Sequence, residues 1–234
     1  MKRLAAVTLT LLVVFAAPCF AGSQTPSGAT AQTIINRVRV IVNDSSSALV
    51  SDAEMLVWVD EAVKRTVKDA RCLETTDTIT LVAGTPSYTT SVAHYDIVSA
   101  VWDSGDATAT NRFFYLRKLN PEDAWFHYKE AGRPQFWWEW GGSVYLWPVP
   151  TSDEAGDVVT LLMVTQPTGT AALSSAIETP YYLDEAITYY VAGKYHEADS
   201  KDGRAAHYRQ MFDAEIAKAR IEIRNDLTTV TEEK

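Results

Sequence analysis

The 234-residue chain is poor in what most enzyme and nucleic-acid classes need. It has two cysteines, four histidines, 21 basic residues against 30 acidic ones, and a net charge of −9. Without a basic surplus to neutralise phosphates, sequence-driven DNA binding is excluded as the main task. Two cysteines, Cys19 and Cys72, do not make a disulfide framework. The longest uncharged apolar run, Leu4 to Ala17, is 14 residues, short of the roughly 20 that span a bilayer.

That run follows Lys2 and Arg3 and precedes Pro18, Cys19, Phe20 and Ala21. A basic start, an apolar middle and a small-residue end read as a secretory leader over residues 1–21, cut after Ala21. Its removal would leave Cys72 as the single thiol. Beside Arg71, near a helix end, Cys72 has two readings, a reactive low-pKa thiol or an inert buried one, and the second is the commoner.

What remains has 47% apolar residues, enough for an ordinary core. Residues 22–30 are small and polar and read as a flexible lead-in. Ala31, Ile34, Ile35, Val38, Ile41 and Val42 then recur at helical spacing and predict a helix over 30–43. Ser51 and Glu54 form a capping box that starts a second helix. Leu56, Val59, Val63, Val67 and Ala70 form its buried stripe, and it ends near Arg71.

From Thr75 the pattern turns β-rich, with strands predicted over Thr78–Val82, Ile97–Trp102, Gln135–Trp140, Ser143–Trp147 and Val158–Thr165. Gly141-Gly142 suits the positive φ of a two-residue hairpin turn. That register sets Phe136 opposite Trp147 and Trp138 opposite Tyr145 on one face, with Trp137 opposite Leu146 on the other. Asn120-Pro121-Glu122-Asp123 predicts a short helix over 121–130. Gln166 to Ser175 is a polar connection. Thr179-Pro180 starts a further helix carrying Leu183, Ile187, Tyr190, Val191 and Tyr195. A last helix from Asp202 carries Ala205, Tyr208, Phe212, Ile216, Ala219 and Ile223, antiparallel to its predecessor.

The expected fold class is α+β: an N-terminal helix pair (31–74), an antiparallel β-rich insertion with a short helix (75–166) and a C-terminal antiparallel helix hairpin (179–226). These make one domain over 31–226, followed by a polar tail over 227–234.

Chemical motifs fail in turn. His94, His127, His196 and His207 have no metal-binding spacing, although His196 and His207 sit on adjacent helices. Asp199, Asp202 and Gly203 lack the alternating ligands and closing glutamate of a calcium loop. Glu122 with Asp123 and Asp153 with Glu154 read as a helix start and an acidic turn, since adjacency does not make a catalytic dyad. No nucleophile elbow or phosphate loop is present. The expectation is therefore no enzyme, no cofactor and no metal. The candidate interface is the aromatic cluster Phe136, Trp137, Trp138, Trp140, Tyr145 and Trp147. Stacked rings also bind sugars, so with a leader the same cluster supports an alternative, an exported or periplasmic carbohydrate-binding module.

The segments "TIINRVRVIVND", "VSDAEMLVWVDEAVKRTV", "TITLVAGTPSYTT", "RKLNPEDAWFHYKEAGRPQFWWEWGGSVYLWPVP" and "ETPYYLDEAITYYVAGKYHEAD", in that order from residue 32 to about 226, resemble the head-to-tail adaptor (connector) proteins of tailed bacteriophages. The resemblance implies a non-catalytic virion protein assembled in the host cytoplasm, with no membrane association in its mature form. It implies a self-assembled ring, typically a dodecamer, between the phage portal protein and a tail or nozzle protein. DNA would pass through the ring without sequence-specific binding. By the same analogy the aromatic hairpin is a tail-side or intersubunit element. The leader departs from the family pattern.

Overall fold

A computed structural model describes residues 26–47, 49–106, 112–124 and 130–229, with the side chains of 124, 222 and 224–229 left aside. The predicted leader, residues 22–25 of the lead-in, residues 125–129 of the predicted short helix with His127, and residues 230–234 of the tail lie outside the described residues.

Helix α1 (Ala31–Val42) is capped by the Thr30 side chain, which accepts the Thr33 N–H, and ends at Asn43 with φ 58°. Helix α2 (Asp52–Ala70) begins with the Ser51/Glu54 capping box in both directions and ends at Arg71. The inner stripe of α1 is fully buried at Ala31, Ile34, Ile35 and Val38, but Ile41 is 40% exposed and Arg39 takes a buried place instead. Periodicity alone could not see this, because the arginine is buried by its partners. Its Nε donates to Asp52 Oδ1 at 3.0 Å, Nη1 to the Asp44 carbonyl and carboxylate at 3.3 Å, and Nη2 to the Val50 carbonyl at 3.1 Å and to Asp52. Tyr195 hydrogen-bonds the same Asp44, so one guanidinium fixes the α1–α2 loop and touches the C-terminal helices.

Seven strands follow: β1 (Glu74–Thr80), β2 (Ser87–Thr89), β3 (His94–Asp103), β4 (Phe113–Lys118), β5 (Phe136–Trp140), β6 (Ser143–Trp147) and β7 (Val158–Thr165), with the short helix α3 (Pro121–Ala124) between β4 and β5. The sheet order is β1-β7-β3-β4-β5-β6-β2. Pairing is antiparallel except for a two-residue parallel contact of Arg117 with Phe136 and Lys118 with Trp137 between β4 and β5. Strands β2 and β4 were not expected from the sequence. β2 has only three residues, and β4 is apolar on both faces over Phe113–Leu116, which hides the period of two.

The outermost strands, β1 and β2, are consecutive in the chain and joined by residues 81–86. Seven flat strands would hold their edges about 29 Å apart. The link reaches about 25 Å even when fully extended, and it contains a turn closed by Thr85 N–H to the Val82 carbonyl. The sheet therefore curls. Ile79, Ile97, Leu116, Trp137, Leu146 and Leu161 fill the inside of the curl.

After β7 a connection runs back over α2, where the Asp60 carboxylate accepts the Thr170 N–H at 2.7 Å. The predicted helix start at Thr179-Pro180 is displaced. Thr179 is fully buried with no hydrogen-bond partner on its hydroxyl, and Pro180 opens a 3-10 turn (Tyr181–Leu183) before α4 (Asp184–Ala198). Thr179 instead offers its carbonyl to the Ser27 N–H, while Asp184 accepts the Ser27 hydroxyl at 2.7 Å. Residues 26–30 are thereby pinned rather than loose. Helix α4 contacts α1, α2 and α5 (Asp202–Thr229), so it is buried on several sides and shows no single apolar stripe. Gly193 lies at the α4–α5 contact, where a Cβ would meet the Ala205 carbonyl and Tyr208 at 3.6 Å, an ordinary packing distance.

The helical core gathers Ile34, Val59, Val67, Ile187, Val191 and Phe212, and reaches the sheet at Val164. Arg39→Met should cost about 3–5 kcal/mol, because it leaves Asp44 buried without its cation. Arg65→Met, at an exposed pair with Asp69, should cost under about 1 kcal/mol. Hydrogen bonding from Arg39 holds the Asp52 carboxyl below its ordinary pKa, against a smaller opposing effect of burial. That contribution is present above pH of about 3.9 and is lost as pH falls through the lowered folded value. Denaturant melts from pH 5 to 2 should show the loss in the wild type and less of it in Arg39→Met.

Candidate functional site

Gly141 and Gly142 turn the β5–β6 hairpin with φ of 59° and 76°, values only glycine adopts freely. The register is the expected one, with Phe136 opposite Trp147, Trp137 opposite Leu146 and Trp138 opposite Tyr145. Phe136 stacks on Trp147 at 4.9 Å and Trp138 on Tyr145 at 5.2 Å.

The curl separates the six aromatic residues by role. Trp137 points inward at 1% exposure, with Lys118 Nζ 4.9 Å from its ring centre. Trp138 is outward yet covered at 3%, whereas Trp140 is 61% exposed and Phe136, Tyr145 and Trp147 are half-buried. The outer face is thus not covered throughout, as two apolar faces would have suggested. It also continues where the sequence did not point. Through the β4–β5 pairing, Arg117, Tyr115 and Phe113 share the side of Phe136, and Tyr115 is 80% exposed. The signal was available in the run Phe113-Phe114-Tyr115, but only the pairing shows which rings face out. Beside it, Arg133 lies 3.8 Å from the centre of Phe114 and 4.3 Å from Trp102, gripping two rings of β3 and β4.

The titratable groups are spent on structure. Cys72 is buried at 1% and its thiol is pushed up to about 12 by burial, so the inert reading holds. His94 uses both ring nitrogens, on the Val92 carbonyl at 2.9 Å and on Glu139 at 3.2 Å. His196 is 2% exposed, not surface-facing as its polarity suggests, and stacks on Tyr208 with ring centres 5.5 Å apart. His207 touches the same Tyr208 at 5.6 Å, so a tyrosine mediates between the two histidines of α4 and α5. Asp199 closes α4 and pairs with Lys201. Glu154 accepts the Thr151 hydroxyl and N–H, which holds its carboxyl low, while burial raises that of Asp157 beside Trp102. Among the described residues no group of three or more His, Cys, Asp or Glu side chains is placed to hold a metal ion.

The structure joins a helical body to a curled sheet whose outer face shows aromatic rings and arginines. The SU10 adaptor protein family model matches residues 29–231, and the chain belongs to that family. Membership makes it a structural component of the phage particle that interacts with other head and tail proteins, a class that is generally non-enzymatic. No curated protein matches the chain. Among the described residues no helix is long and apolar enough to cross a membrane.

The buried and the exposed aromatic positions give separate tests. Trp137→Ala should destabilise by about 3–5 kcal/mol through the cavity it leaves, and Trp140→Ala by under about 0.5 kcal/mol, both read by urea melts. Burial, with Arg204 and Lys201 nearby, lowers the His196 pKa against a smaller pull from Asp199. Its contribution is therefore complete above pH of about 6.5 and lost as pH falls through the lowered folded value. His196→Phe keeps the stack on Tyr208 and should flatten the melting temperature between pH 7 and 5.

Proposed function

We propose that the chain forms a ring, typically of twelve copies, between the phage portal protein and the tail or nozzle, with DNA passing through the centre. The single observation behind this reading is the family match over 29–231, which spans both the helical and the sheet parts. Two physical features support it. The net charge of −9 suits the wall of a DNA conduit, because like charge discourages phosphate from sticking. The half-buried and exposed rings Phe136, Trp140, Tyr145 and Trp147 offer aromatic area to a protein partner, where such rings concentrate because they bury much surface with few rotamers. In this reading Trp137 inside the curl and the covered Trp138 on the outer face support the hairpin and the other four make the contact, while the helices pack toward neighbours and the portal.

Negative-stain microscopy of the purified chain, alone and mixed with its portal protein, should show rings with a central channel. A chain that stays monomeric in both preparations at every concentration tried would overturn the reading.

A further inference from the structure

Two exposed apolar surfaces lie in different layers of the molecule and carry opposite charge. At the β4–β5 junction the strands share only two paired positions, and beside them opens a hollow of about 420 Å³. Tyr115 and Phe136 form its outer wall, Arg117 and Arg133 border it, and among the described residues no carboxylate lines it. With Phe113 at 61% and Tyr115 at 80% exposure, the strip stands out from the sheet. The second surface is a groove of about 770 Å³ between the end of α1 and the start of α4. Val40 at 81%, Ile41 at 40% and Tyr181 at 60% exposure form its apolar wall. Its charged residues are Arg37, Asp184 and Glu185, and Arg37 sits on Asp184 at 3.3 Å, so the excess charge is the negative one of Glu185. Single exposed apolar side chains need no explanation, but contiguous sets of this kind mark interaction sites.

We propose that these two surfaces meet between neighbouring copies. The β4 strip of one subunit seats in the α1–α4 groove of the next, with Tyr115 against Val40 and Ile41 and with Arg117 facing Glu185. The inference rests on the ring reading above and adds which faces join. The occupant is a second copy on electrostatic grounds. A chain of net charge −9 repels itself over most of its surface, and the cationic strip is where an acidic copy is attracted instead. A contact between two different patches is heterologous, and such contacts propagate into a closed ring when the rotation permits.

Full-length Tyr115→Glu and Val40→Glu chains, each altered at a position at least 80% exposed, test the proposal by analytical ultracentrifugation. Each alone should be monomeric. An equimolar mixture should form dimers and nothing larger, because one intact strip and one intact groove remain between the two variants. Arg117→Glu should weaken assembly at least tenfold, and Arg117→Glu combined with Glu185→Arg should restore it. If either glutamate variant melts early, Tyr115→Ser and Val40→Ser replace them. Rings that survive both substitutions overturn this interface and leave the ring reading standing. Dimers of one variant alone also overturn it, since they show a patch pairing with itself. So does an intact Val40→Glu ring that has lost binding of another phage protein. A wild-type chain that never forms rings, alone or with portal, overturns the ring reading and the interface together.

Discussion

The link of residues 81–86 joins the two strands that stand at opposite edges of the sheet, and it is too short to cross a flat one. Everything about the aromatic surface follows from the resulting curl. Curling gives the sheet an inside, and Trp137, Leu146, Leu116 and Ile97 fill it. The residues that alternate with them are forced outward, including Tyr115 and Trp140. The link is held at both ends, by Leu81 N–H to the Asp157 carbonyl at one and Leu146 N–H to the Pro86 carbonyl at the other. A short connection therefore decides which aromatic rings are core and which stay exposed.

The helical part rests on a different constraint. Arg39 is desolvated, and a buried guanidinium is tolerable only where carboxylates and carbonyls surround it. Asp44, Asp52 and the Val50 carbonyl supply that surrounding, and Tyr195 extends it to α4. The two parts then meet through few but specific contacts: Val164 in the helical core, the Asp60 carboxylate on Thr170, and Arg71 with Asp96 at 2.9 Å. Such contacts hold the two bodies in one orientation. The titratable residues that could have served catalysis, among them Cys72, His94 and His196, are instead sealed or satisfied inside this framework.

Much of the fold was legible before any coordinates. Helix starts at Thr30 and Ser51, the stripes of α1, α2 and α5, and the register of the β5–β6 hairpin all follow from local rules, because caps, turns and periodicity act over a few residues. The misses share a cause. Ile41 belongs to the expected inner stripe but is 40% exposed, and the buried Arg39 has no local signal because its partners lie beyond its own helix. Thr179 was expected to cap a helix, but its hydroxyl is buried without a partner while its carbonyl accepts the distant Ser27 N–H. Strand β4 carries no alternation to read because both its faces are apolar.

By itself the sequence determined the order of the helices and of five of the seven strands, the hairpin and its aromatic pairs, and the acidic character that argues against DNA binding. Its motif series also pointed to the adaptor family. Only the tertiary structure decided that β1 and β2 are the two edges of one curled sheet, that Trp137 is core while Trp140 is surface, and that Phe113 and Tyr115 extend the exposed rings. The physical reason is that side-chain alternation states that two faces exist. Which face meets water depends on strand order and curvature, and those are set by contacts between residues far apart in the chain.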